Sequence, residues 1–213
     1  MSDKWPLHLF GCTMMLPKVS FGGKVALGVA VSFLLLTALI PRFVTRHFDR
    51  VLRIQYIERF DQAMARLAKA TNDGERFYPL TETAEMGFLL GKTNEARKYA
   101  QEVLAMAPKF QGNWNYGNAI HDGNLVLGRI AVLEGRIEDA KRFLLEAGST
   151  PGSPQLDSFG PDFSLAKDLL ERGERETVLK YFQLCSRFWE KGKLDRWSQD
   201  VKSGKAPDFD SLQ

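Results

Sequence analysis

One short run carries the side chains that could do chemistry: His121-Asp122-Gly123-Asn124. A histidine beside a carboxylate offers a base with a group to orient it, and the pair could also ligate a metal ion. The spacing argues against both. Residues one apart on a helix do not face each other, and the other histidines, His8 and His47, lie in or before a basic N-terminal region. No activated serine or cysteine and no phosphate-binding glycine loop accompanies the run. No catalytic residue, metal ligand or cofactor is therefore assigned. The simplest role for Asp122 and Asn124 is to satisfy backbone groups near a helix start. An enzyme or small-molecule pocket around His121, Asp122 and Asn124, capped by the segment 148–161, is the alternative that these residues leave open.

The element that must position this run lies just after it. Leu127 to Pro154 reads as two helices joined by a tight turn. Leu127, Ile130, Ala131 and Leu133 form one apolar face, and Ala140, Phe143, Leu144 and Ala147 form the other. Between them Gly135 suits a chain leaving a helix through the left-handed region. Gly128, Ala140 and Ala147 fall where two helices must come close. Cys185 occupies the place in its helix that Ala147 has here, and reads as a small core residue. With only Cys12 besides, no disulfide framework is implied.

Composition sets the class. A hydrophobic share of 44% and a charged share of 26% belong to a chain that folds. The net charge of +3 is unevenly spread: residues 1–40 carry +2, residues 41–70 carry +4, and the rest carries −3. The bulk of the protein is mildly acidic, which excludes nucleic acid as the main partner.

Val25 to Ile40 holds sixteen residues without a charge. Extended to residues 21–44, with cations at its ends, the segment is long enough to cross a hydrocarbon core of ~30 Å. No small-residue cleavage pattern closes it, and Arg42, Arg46, Arg50 and Arg53 follow. These features predict an uncleaved single-pass anchor with a basic collar at the membrane surface. The excess of Arg on the C-terminal side predicts that the following domain faces the cytoplasm. Export to the periplasm, with the N-terminal segment serving only as a signal, is the competing expectation.

Past the collar, Ile57, Phe60, Met64 and Leu67 mark a helical stripe, which Asn72-Asp73-Gly74 is expected to end. Then one pattern recurs. GKTNEARKYAQEVL, GRIEDAKRFLLEA and GERETVLKYFQLC align without gaps. In each, a turn glycine (Gly91, Gly135, Gly173) precedes Ala96, Ala140 or Val178 by five residues. An apolar helix precedes each turn, over Tyr78–Leu90, about Gly117–Glu134 and about Asp162–Arg172. Two linkers separate the units, Lys109–Asn118 and Gly148–Pro161, and the second has turn residues throughout.

The Leu127-Gly128 pair and the packing alanines Ala140 and Ala147 resemble the tetratricopeptide repeat. The resemblance implies an all-α fold: an array of about three helical hairpins plus capping helices after one N-terminal transmembrane helix. Successive equivalent positions are 44 and 38 residues apart, against about 34 in the family. The expected organisation is a leader over 1–20, an anchor over 21–44, a basic juxtamembrane helix over 45–75, the repeat domain over 76–191, and a capping helix with a frayed tail over 192–213. The stretch Phe188 to Val201 is expected to put Trp189 and Trp197 on the capping helix.

The resemblance also implies a groove lined by the first helix of each unit. Glu85, Arg129 and Lys167 take equivalent inward positions there, with Phe88, Asp122 and Val132 nearby. Arg129 and Lys167 could hold a carboxylate or an acidic peptide segment, and Trp114 and Tyr116 could anchor a partner. The function expected is that of an adaptor or scaffold without catalysis, binding a protein or peptide beside the bilayer. An exposed groove would also permit self-association.

Overall fold

A glycine-led turn recurs three times and sets the architecture. At Gly91, Gly135 and Gly173 the backbone is left-handed, with φ of 77°, 72° and 85°, where glycine is unstrained and other residues are not. Each turn closes with the same two hydrogen bonds. Gly91 N–H donates to Phe88 C=O (2.9 Å) and Lys92 N–H to Gly87 C=O (2.8 Å). Gly135 and Arg136 donate likewise to Val132 and Ala131, and Gly173 and Glu174 to Leu170 and Leu169. The otherwise orphaned carbonyls of each preceding helix are thereby used.

The computed structural model describes residue 47, residues 49–190 and residues 193–209. The chain divides into two units, Met1–Asp49 and Arg50–Gln213; the second is described here. It is all-α: among the described residues there are nine helices, one 3-10 turn at Ala107–Phe110 and no strand. Residues 50–69 form α1. The others are α2 (Asp73–Leu89), α3 (Thr93–Met106), α4 (Tyr116–Leu133), α5 (Ile137–Gly148), α6 (Pro154–Phe159), α7 (Ser164–Leu170), α8 (Arg175–Cys185) and α9 (Leu194–Lys202). Among the described residues no helix is long and apolar enough to cross a membrane. The 21–44 segment, Arg42 and Arg46 lie outside the described residues.

α2 packs on α3, α4 on α5 and α7 on α8, while α3 also meets α4 and α5 also meets α8. Small residues permit the approach. Ala96, Ala140 and Val178 are fully buried five residues after their glycines. A Cβ on Gly128 would stand 2.2 Å from Leu165 Cδ2 and 3.2 Å from Phe143 Cβ. α4 serves three apolar clusters at once: Ala119 belongs to one with Phe77 and Leu80, Ile130 to one with Ala84 and Ala96, and Ala131 to one reaching Trp197.

Several expectations are corrected. Leu133 is 68% exposed, because the helix ends beside it and its face has already turned outward. The α1 stripe runs through Phe60, Ala63 and Leu67, while Ile57 is 42% exposed. Asn72 starts a helix instead of ending one. Its backbone is extended (φ −145°) and its side chain accepts from Glu75 N–H, so its polar oxygen caps α2. The 148–161 linker contains α6, with Ser153 Oγ accepting from Leu156 N–H at 3.0 Å. Trp189 precedes α9 instead of riding on it. The tail is not frayed as far as Phe209: Pro207 is buried, and the Phe209 ring stacks on Phe163 with centroids 5.2 Å apart.

Candidate functional site

Three- and four-residue spacings on α2 and α4 bring Glu85, Phe88 and Leu89 opposite Asp122, Leu125, Val126 and Arg129. These residues, with Met86, Asp162 and Ser164, enclose a cavity of about 150 Å³. An adjoining cavity of about 560 Å³ shares Arg129, Asp162 and Ser164. It continues along α7 past Lys167, Asp168 and Glu171 and ends at Phe209. The two together form a cleft along α2, α4 and α7. Val132, by contrast, is a core residue.

Arg129 stands between the cavities. Its Nε donates to Asp168 Oδ2 at 3.2 Å, and its guanidinium lies 4.6 Å from the centroid of the Phe88 ring. Both partners are internal, so the cation thought to receive an acidic segment is already engaged by a carboxylate. Lys167 is exposed on the wall of the larger cavity.

Three carboxylates line the smaller cavity: Glu85, Asp122 and Asp162. Glu85 is held well above the ordinary carboxylate range, first by burial and then by repulsion from Asp122 and Asp162. Arg59 of α1 opposes this, and Glu82 adds to it. A carboxyl raised on folding binds its proton more tightly in the folded state. Stability is then full below the ordinary carboxylate range and is lost as pH rises through the raised value. Glu85→Gln removes the titration while keeping the shape. Its Tm is expected to exceed wild type near pH 8 and to match it near pH 4. Thermal scans that keep the two proteins parallel across that range would refute it.

Behind Asp122 lies a network that the sequence pattern did not show. α4 begins at Tyr116, so His121 and Asp122 sit in its second turn and not at its start. His121 is fully buried. Its Nδ1 is 2.7 Å from Asp122 Oδ1 and its Nε2 is 3.0 Å from Tyr181 Oη. Neighbours do meet here, because Asp122 sits at the boundary between the buried face and the cleft. Tyr181 Oη also lies 3.1 Å from the Asp162 carbonyl, and its single proton serves either that carbonyl or His121 Nε2. Asn124 Nδ2 donates to the Ile120 carbonyl at 2.9 Å, one turn back on its own helix. Of the run 121–124, only Asp122 lines the cleft.

Burial pushes the Cys185 thiol up to about 12, which suits a core residue and not a nucleophile. Among the described residues no group of three or more His, Cys, Asp or Glu side chains could hold a metal ion.

The linker aromatics part company. Trp114 is 57% exposed and stacks on Tyr78, with centroids 5.8 Å apart. Tyr116 is half-buried against the cluster of Phe77 and Leu80 and pins the start of α4. Arg50 and Arg53 are exposed on α1. Asp162, Ser164, Asp168 and Phe209 complete the cleft without any repeating pattern to announce them. The one available signal was Asp162 two residues before Ser164, whose N–H it accepts at 2.6 Å to start α7.

No family model, no curated protein and no solved structure matches this chain.

Proposed function

We propose that the chain is a membrane-anchored helical-repeat adaptor of tetratricopeptide type, which holds a segment of a partner protein in the α2–α4–α7 cleft and catalyses no reaction. The observation that carries this reading is the cleft itself: two joined cavities with mixed apolar and charged walls, lined by the first helix of each hairpin. The repeated turn supports the repeat assignment, with one glycine conformation and one hydrogen-bond pair at all three places. Anchoring rests on the charge-free run Val25 to Ile40 and the arginines after it. The arginine excess favours a cytoplasmic domain.

The test is site-specific crosslinking in intact cells. A photoreactive phenylalanine analogue in place of Phe88, inside the cleft, is expected to give one discrete adduct in the membrane fraction. The same analogue at Glu138, exposed on α5, is expected to give none. Identical adducts from both positions, or none from Phe88, would remove the cleft as a partner surface.

A further inference from the structure

We infer that the smaller cavity seats the cationic head of a lysine or arginine from the partner, between Glu85, Asp122 and Asp162, so that the cleft selects a basic segment. The inference rests on the cleft being the partner surface, and it reverses the sign of charge that Arg129 and Lys167 suggest when taken alone.

Charge is the first argument. The walls of the two cavities carry five carboxylates (Glu85, Asp122, Asp162, Asp168 and Glu171) and two cations, Arg129 and Lys167. Arg129 lines the smaller cavity too but pairs with Asp168, so Asp122 and Asp162, with Glu85 beside them, give that cavity its acidic character. Burial first, and then repulsion from Asp122 and Asp162, holds the Glu85 proton above the ordinary carboxylate range. A cation entering between the three relieves that repulsion, whereas an anion adds to it.

The second argument is an unused polar atom. Ser164 Oγ is shut off from solvent and has no hydrogen-bond partner among the described residues, although Ser164 lines both cavities. A buried hydroxyl without a partner is unfavourable. Ammonium and guanidinium groups bring donors and no acceptor, which is what three carboxylates and a free hydroxyl oxygen require.

Size and wall chemistry narrow the ligand to a side chain. About 150 Å³ is below the usual range of a cofactor site, roughly 300–1,000 Å³. Phe88, Leu125 and Val126 supply apolar wall along which an aliphatic stem can lie while its charged head reaches the carboxylates. The larger cavity beyond Arg129 then receives the neighbouring residues of the segment.

The test uses the full chain in detergent micelles and a short fluorescein-labelled peptide of Lys, Ala and Leu, with a matched peptide in which Glu replaces Lys. Fluorescence anisotropy is expected to show binding of the lysine peptide and none of its acidic counterpart. Asp162→Asn keeps an acceptor for Ser164 N–H and is expected to weaken binding roughly tenfold. Lys167→Glu is expected to tighten it. Unchanged melting of each variant shows that its fold is intact, and Glu85→Gln serves if Asp162→Asn does not fold. Tighter binding of the acidic peptide, a Kd unmoved by either carboxylate substitution, or no binding of the lysine peptide would each overturn the inference. Crosslinking from Phe88 decides separately whether the cleft meets a partner, so the inference can fail while the adaptor reading stands.

Discussion

Gly117→Ala is expected to destabilise the protein by about 3 kcal/mol, the upper end for added core volume. A Cβ there would stand 1.8 Å from the Gly152 carbonyl oxygen and 2.5 Å from its carbon. Backbone blocks the space, so no rotamer change can relieve the clash. The surrounding contacts hold it fixed: Thr150 Oγ1 donates to Gly117 C=O at 2.8 Å, and Asn118 Nδ2 donates to Gln155 Oε1 at 3.1 Å. For a chain of this size such a loss lowers Tm by roughly 6–12 °C. Gly91→Ala is the control. Nothing lies within 4 Å of a Cβ there, and only the left-handed backbone opposes it, at about 1 kcal/mol. Urea denaturation of both variants checks the ranking. Equal losses would mean that the 148–153 segment does not press on α4 in solution.

Trp197→Ala is expected to remove about 3–5 kcal/mol, the range for deleting a large buried aromatic. Trp197 meets Phe163 edge-on with centroids 4.9 Å apart, and also contacts Phe182, Trp189 and Phe209. Its indole joins α9 and the tail to the α7–α8 hairpin. Trp114→Ala, at an exposed tryptophan, is expected to change stability by less than about 1 kcal/mol. Near-ultraviolet dichroism should collapse for the first variant and persist for the second. Comparable denaturation midpoints for the two would refute the assignment of Trp197 to the core.

Local patterns were readable from the sequence in proportion to how far a rule reaches along the chain. The turn glycines and the small residues five positions on are set within one helical hairpin, and their residue types alone place them. Leu133 and Ile57 were misplaced because helical spacing identifies a face but not where the neighbouring helix stops covering it. The tail failed for a different reason. Pro207 and Phe209 look like an end without structure, and their burial depends on an aromatic surface built by Phe163, Phe182 and Trp197. The cleft was half readable. Glu85, Phe88, Asp122 and Arg129 are residues that the repeat resemblance places in the groove, and the structure does bring them together. Asp168, which engages Arg129, and Asp162, which adds the third carboxylate, come from a short helix and the loop before it. Their position depends on how α7 meets α4, which no periodicity encodes. The acidic character of the smaller cavity therefore emerges only from the three-dimensional arrangement.

α4 contributes to three separate apolar clusters, and that sharing governs cooperativity. The α2–α3 hairpin packs on α4–α5, and α4–α5 packs on α7–α8, a stack in which one end could melt first if the two interfaces used separate helices. Here, opening the α1–α3 end uncovers Ala119, Val126, Leu127 and Ile130, and opening the α7–α9 end uncovers Leu125, Ala131 and Val132. Both losses fall on one helix, so each raises the free energy of what remains folded. α4 acts as a keel. Burial shared along this one helix couples the melting of the two ends.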